Sequence, residues 1–222
     1  GFESFYYNTT GIDNVAIGGD ALKANTTAAS NTAVGKSALA ANTTGDQNTA
    51  MGQNSMDANT TGRNNTSYGM SSLSANTTAA ENCAVGVNAL FGNTTGAANT
   101  SLGTYSLQNN TTANNNTGLG YKALFANTTG TNNIGIGSSA GINVVTGGDN
   151  VFIGAFSGDN TTGSQNVLIG SSTSTSSAGG GNQIAIGQNV TGSGNGNFTF
   201  GDGTTDSNIA FGATSITAPS DI

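Results

Sequence analysis

The side chains of this chain that could take part in binding are a small set of aromatic rings. Phe91, Tyr105, Tyr121 and Phe125 stand at variable positions of an otherwise polar sequence. Exposed aromatic rings on a rigid scaffold can stack on sugar rings or form contacts with other proteins. These four residues are therefore candidate ligand contacts. The alternative is that they pack between the subunits of an oligomer.

Catalytic residues of the common kinds are missing. The chain contains no His and a single Cys, which excludes Ser-His-Asp triads, Cys-His pairs and His-ligated metals. Its acidic residues fall singly, and the Gly-Gly-x-Gly-x-Asp phrase of calcium-binding repeats does not recur. We predict a protein that is not an enzyme and holds no metal and no cofactor. Because no His could activate it, Cys83 is interpreted as a small buried side chain.

The net charge of the chain is negative, which disfavours nucleic acid as a partner. Its 4 Lys and Arg residues stand against 11 Asp and Glu residues, which gives a net charge of −7 and a pI near 4.1. Nucleic-acid binding needs a basic stripe that displaces counterions, and these basic residues are scattered. No stretch approaches the roughly 20 apolar residues of a membrane-spanning helix. We therefore expect neither nucleic-acid binding nor membrane insertion.

A 17-residue repeat carries these side chains. Asn recurs at residues 14, 31, 48, 65, 82, 99, 116, 133 and 150, and Gly follows four residues later each time. We count each repeat from this Asn as position one, so that an Asn-Thr-Thr triplet begins at position twelve in the copies up to residue 127. Such a unit is too short for a helix pair but suits one coil of a parallel β-solenoid. The predicted fold is all-β, a parallel β-solenoid or β-roll of about 17-residue coils.

The spacing also divides the chain into three segments. Residues 1–13 are predicted as an N-terminal lead-in or cap, residues 14–165 as the regular coils, and residues 166–222 as shorter, tapering coils and the C-terminal end. After Asn150 the interval shortens to 16, which predicts coil starts at Asn166 and Asn182. Contracted coils are then expected to end at Gly187, Gly201 and Gly212.

Apolar columns in the repeat predict which side chains are buried. Position nine is Leu or Met in seven successive copies, from Leu22 to Leu124, and position four is apolar from Ile17 to Ile153. We predict that both columns line the interior. Position two would share the face of position four, because side chains alternate along a strand.

Position three would then point outward, yet it remains small. A flat column of small residues lets another backbone approach closely, and a 17-residue coil encloses a thin core of its own. We therefore predict a parallel homotrimer, intertwined or packed side by side. Its interface column would be Ala16, Ala33, Ala50, Ser67, Ala84 and Ser101.

The repeat motifs resemble those of known surface proteins. "NVAIG" (14–18), "NTAVG" (31–35) and "NCAVG" (82–86) are similar to the head repeats of trimeric autotransporter adhesins. Combined with Asn-Thr-Thr-Gly, they also resemble repeats of phage tail fibres and of fibre-like bacterial surface proteins. The resemblance covers roughly residues 8–212. It implies a trimeric stalk or tip that attaches one particle or cell to another and is extracellular, on a cell surface or on a virion fibre.

The expected function is therefore a structural and attachment segment of a trimeric fibre or adhesin. It would contact a host or target cell surface through a glycan or a protein receptor. The alternative is an ice-binding β-solenoid, because Thr recurs in columns and the charged fraction is 7%. Adjacent Thr residues point to opposite sides of a strand, however, so each rank is one residue wide. A polysaccharide lyase or hydrolase would need clustered catalytic residues, which the repeat lacks.

Overall fold

Thirteen short strands form one continuous sheet in the computed structural model, which describes residues 1–213. In each regular coil the strand occupies positions two to four. The predicted all-β parallel solenoid is thus confirmed. The strands are β1 (Val15–Ile17), β2 (Thr32–Val34), β3 (Thr49–Met51), β4 (Thr66–Tyr68), β5 (Cys83–Val85), β6 (Thr100–Leu102), β7 (Thr117–Leu119), β8 (Ile134–Ile136), β9 (Val151–Ile153), β10 (Val167–Ile169), β11 (Ile184–Gly187), β12 (Asn197–Gly201) and β13 (Ser207–Ala210).

The strands from β1 to β12 run parallel and in chain order, each paired with the next. Equivalent repeat positions lie directly above one another, as in the pairs Ala33 with Ala50 and Ala84 with Ser101. Neighbouring strands are ~4.8 Å apart, so about eleven coils make a stack ~50 Å long. Every regular coil therefore has the same neighbours above and below, which is why the same phrase recurs.

The corner after each strand requires glycine. Gly86 has φ = 131°, and a Cβ at this residue would lie 2.7 Å from the carbonyl carbon of Gly103 in the next coil. Other bends use left-handed backbone at residues that are not glycine, such as Glu81, Asn88 and Leu90, with φ of 65°, 54° and 54°. Such backbone costs about 1–2 kcal/mol per residue. Contacts with adjacent coils must therefore hold it in place.

Two ladders of buried Asn side chains supply many of these contacts. At position twelve the Nδ2 of Asn59 donates to Oδ1 of Asn42 at 2.8 Å, and Asn76 donates in the same way to Asn59 at 2.7 Å. At position one, Oδ1 of Asn48 accepts from the backbone N–H of Asn65 at 3.0 Å. All five side chains are at most 1% exposed. The Asn-Thr-Thr triplets are thus turn ladders whose Asn side chains are enclosed.

The core is formed mainly by the side chains at positions three, eight and nine, which point into the coils. The predicted burial of position nine is confirmed, since Leu39, Leu90 and Leu107 are fully buried. Position three faces these residues: a Cβ added at Gly118 would lie 3.3 Å from Cγ of Leu107. Because the large Leu side chains already fill the coil, the facing position has room only for Ala, Ser or Gly.

Among the described residues the C-terminal end departs from the regular coil, whereas the N-terminal end follows it without a strand of its own. Residues 1–13 occupy positions five to seventeen, and Phe5 donates its backbone N–H to Ala21 of the following coil. At the other end Asn182 does not begin a coil, because Ile184 pairs with Val167 and Gln183 takes the ladder position. The predicted coil ending at Gly212 is also wrong.

The chain instead turns back near residue 202. There β13 pairs antiparallel with β12. Asp202 accepts hydrogen bonds from the hydroxyl of Thr204 at 2.6 Å and from the N–H of Thr205 at 2.9 Å, which hold the pKa of Asp202 below its usual range. The hairpin ends the parallel stack, and residues 214–222 of the predicted C-terminal segment 166–222 lie outside the described residues.

Candidate functional site

The predicted oligomer interface at position three is wrong, because these side chains lie inside the coils. Five of them are fully buried within a single chain, and Ala16 packs against the core from the first coil. The hydroxyl groups of Ser67 and Ser101 donate inward, each at 2.8 Å, to the carbonyls of Ser72 and Ser106. A partner chain cannot reach this column. The buried members are Ala33, Ala50, Ser67, Ala84 and Ser101.

Positions two and four instead form the outer face of the sheet. No residue at these positions in β1 to β10 is buried. Ile17 is 59% exposed and Tyr68 is 56% exposed. The prediction that position four lines the core is therefore wrong. We call this surface, the side chains at positions two and four of β1 to β11, the outer sheet face.

Cys83 belongs to the outer sheet face rather than to the core. It stands at position two between Thr66 and Thr100 and is partly exposed. Its partial burial raises the pKa of the thiol. The prediction of a small buried side chain is thus wrong. The reactivity of the Cys83 thiol can therefore be used to measure how accessible the outer sheet face is.

A shallow apolar hollow interrupts the outer sheet face near its first third. It has a volume of about 310 Å³ and lies between Val34, Met51 and Tyr68, with Gly52 and Gly69 at its edge. The two glycines are corner residues without side chains, which leaves the space beside the Tyr68 ring open. A bulky apolar side chain from another molecule fits a hollow of this kind.

Of the four predicted ligand-contact aromatics, the structure brings three together at the corner after β6 and β7. The rings of Tyr105 and Tyr121 meet edge to face with centroids 6.0 Å apart. The Nζ of Lys122 lies 5.4 Å from the centroids of both Tyr121 and Phe125. Phe91 is 40% exposed but lies two coils before Phe125, at the same position ten.

Lys122 is the member of this group that the sequence analysis missed. Its repeat position could have revealed it, because it stands at position seven directly after Tyr105 in the stack and beside Tyr121 in the chain. We call Tyr105, Tyr121, Lys122 and Phe125 the aromatic–lysine cluster. It lies on the turn that follows the strand, separate from the outer sheet face.

The Thr residues of the triplets form two ranks of different character. At position thirteen each hydroxyl donates to a backbone carbonyl of the next coil, as Thr43 does to Thr60 at 3.0 Å. At position fourteen the Thr side chains are exposed in eight successive coils. The exposed rank consists of Thr10, Thr27, Thr44, Thr61, Thr78, Thr95, Thr112 and Thr129.

No protein-family model, no curated protein and no solved structure matches this chain. The described residues contain no helix long and apolar enough to cross a membrane. Within residues 1–213 no three His, Cys, Asp or Glu side chains are grouped so that they could hold a metal ion.

Proposed function

We propose that this chain is a structural and attachment segment of a trimeric fibre on a cell or virion surface. The observation that carries the proposal is the outer sheet face, which presents apolar and Thr side chains along the length of the sheet. Uniform coils joined by buried Asn ladders make a stiff rod, which suits a part that holds a binding site away from its anchor. The resemblance of the repeats to fibre and adhesin repeats favours the same function.

The size of the outer sheet face supports a partner that covers it. Positions two and four are ~6.6 Å apart along a strand, so with side chains the strip is ~10 Å wide over a ~50 Å stack. The resulting ~500 Å² is in the range of the largest apolar patches on soluble proteins, which are often functional. Ile17, Leu102, Leu119 and Ile134 would remain in water in a single chain, and a threefold arrangement would turn all three strips toward a common axis.

The identity of the residues favours an identical chain over a flat crystalline ligand. Position four varies between Ile, Val, Met and Tyr from β1 to β5, so the side chains there differ in height from coil to coil, whereas Leu or Ile occupies it from β6 to β11. An identical chain in the same register can adapt its own irregular surface to this one, with the ring of Tyr68 or the chain of Met51 filling hollows such as the one beside them. The regular lattice of an ice crystal would contact the uneven part of this surface, from β1 to β5, at few points.

The test is the molar mass of the purified chain measured by light scattering after size exclusion. We expect three times the chain mass of 21.7 kDa. The double substitution Leu102→Glu and Leu119→Glu places charges on the outer sheet face and should yield a monomer with an unchanged circular dichroism spectrum. The matched control, Thr95→Glu with Thr112→Glu on the opposite rank, should remain trimeric. A monomeric wild-type chain would overturn the proposal.

Ice binding is the second candidate, and the exposed rank of Thr at position fourteen favours it. Eight hydroxyl groups recur at the ~4.8 Å coil spacing, and none is a donor to the protein among the hydrogen bonds of the described residues. The adjacent position-thirteen hydroxyls are already bonded to backbone carbonyls, so the rank is one residue wide. Thermal hysteresis of the purified chain that disappears on replacing Thr61 and Thr78 by Lys would favour this candidate.

A further inference from the structure

The aromatic–lysine cluster combines three kinds of group on one exposed turn. The ring of Tyr121 is half exposed and meets the edge of Tyr105, which leaves part of both ring surfaces open to the solvent. The phenol hydroxyls of both residues are free of hydrogen bonds to other described residues. The cluster therefore offers aromatic surface, hydroxyl donors and one cation within the space of two coils.

The cation in this cluster has no carboxylate to neutralise it. In the described part of the chain the basic side chain that forms ion pairs is Lys23, with Glu3 and Asp20, and Lys122 forms none. The neighbouring coils carry uncharged residues at the adjacent turn positions, among them Gln108 and Ser139. Lys36 and Arg63 likewise form no ion pair within the described residues, and Lys122 differs from them because its ammonium group lies against two aromatic rings.

These groups match the chemistry of an acidic sugar. The C–H face of a pyranose ring packs on an aromatic ring, its hydroxyls bond to phenols, and a carboxylate or sulfate pairs with an ammonium group. We propose that the aromatic–lysine cluster binds an anionic pyranose unit of a polysaccharide. This inference rests on the proposed attachment function, for which it names the class of ligand.

The stack of coils extends the site along the rod. Phe91 lies at position ten two coils before Phe125, a separation of ~10 Å. Gln108 occupies the same position in the coil between them. A polysaccharide chain running along the rod would place one ring on the cluster and a further ring over Phe91. Recognition of a polymer is thus favoured over that of a single sugar.

The experiment measures binding of three polymers by isothermal titration calorimetry: polygalacturonate, dextran sulfate and uncharged dextran. The wild-type chain should bind at least one acidic polymer and should not bind dextran, and the two acidic polymers distinguish a carboxylate from a sulfate. Lys122→Gln and Tyr121→Ala should each weaken binding about tenfold, which corresponds to ~1.4 kcal/mol. Lys122→Arg should retain binding.

The matched controls are Lys36→Gln and Tyr7→Ala, which remove an exposed lysine and an exposed tyrosine far from the cluster. Both should bind as the wild type does. The proposal is overturned if the wild-type chain binds neither acidic polymer, or if Lys122→Gln binds as tightly as Lys36→Gln. Light scattering on the same samples separates the two proposals, because a trimeric chain without polymer binding refutes the sugar site alone.

Discussion

The position-twelve Asn ladder should contribute more to stability in its middle than at its end. Asn76 donates to Oδ1 of Asn59 at 2.7 Å and to the carbonyl of Ala79 at 3.2 Å, and accepts from Asn93 at 3.2 Å. Asn76→Ala removes all three bonds and leaves the buried Oδ1 of Asn59 without a donor. At about 1 kcal/mol per bond and about 1–3 kcal/mol for the orphaned oxygen, the expected loss is about 4–6 kcal/mol.

The end of the ladder provides an internal comparison. The following coil has Val144 at position twelve, so Oδ1 of Asn127 is buried without a partner. Asn127→Ala removes two donated bonds, each 3.0 Å long, and orphans Oδ1 of Asn110. It also removes an oxygen that is already unsatisfied. The expected loss is therefore smaller than for Asn76→Ala by about 2–4 kcal/mol.

Urea unfolding followed by circular dichroism measures both changes as free energies of unfolding, provided that the m-value remains constant. Asn109→Ala is the control, because Asn109 is exposed at position eleven and its side chain is absent from the ladder. The expected order of destabilisation is Asn76→Ala, then Asn127→Ala, then Asn109→Ala near zero. If Asn127→Ala costs as much as Asn76→Ala, the account of the ladder by hydrogen-bond satisfaction is refuted.

Three further outcomes follow from the same geometry. Gly86→Ala should destabilise the fold by about 2–4 kcal/mol because its Cβ would meet the backbone of the next coil, whereas Gly179→Ala, with open space around it, should cost less than about 1 kcal/mol in the same urea titration. In the monomeric Leu102→Glu and Leu119→Glu variant, Leu107→Ala should cost about 3 kcal/mol or more, and Ile17→Ala on the outer sheet face less than about 1 kcal/mol, which tests the assignment of inside and outside. Partial burial raises the pKa of Cys83, and the thiolate is the reactive form of a thiol. Alkylation of Cys83 at pH 8 should therefore be slower than that of free cysteine, and its rate should rise as the pH is raised above the usual pKa of a thiol. A rate equal to that of free cysteine would contradict this environment.

The coil, the period and the ladders could be predicted from the sequence because each depends on spacing alone. An exact 17-residue interval requires equivalent environments, and Asn or Gly at fixed positions specifies the turns. The Leu column at position nine was predicted correctly for the same reason. These features are local properties of one coil and its copies.

The side of the strand that faces inward was predicted wrongly because polarity does not distinguish the two faces here. Position four carries larger apolar side chains than position three, as in Ile136 and Gly135, and size was taken as the sign of burial. In a coil this narrow, however, the large side chains at position nine, on the wall opposite the strand, already fill the interior. Steric volume, not hydropathy, decides which face of the strand lies inside.

The aromatic–lysine cluster could be predicted in part. The sequence marks Tyr105, Tyr121 and Phe125 as unusual in a polar repeat, but their grouping depends on how the turn directs each side chain. Left-handed backbone at Tyr105 and Lys122, with φ of 61° and 54°, sets these directions. Non-glycine residues seldom adopt this conformation, so the residue types Tyr and Lys do not predict it.

One irregularity in the repeat contains the information that would have assigned the faces correctly. The Leu column at position nine ends at Leu124, and Gly141 and Gly158 follow, both in left-handed backbone. Between them position three changes from small residues to Phe152, and a Cβ at either glycine would lie within 2.7 Å of its ring. A loss of volume in one column is thus matched by a gain in the other, as two walls of a close-packed core require. Position four stays aliphatic through Ile136 and Ile153, as expected of a surface that does not share the volume of that core.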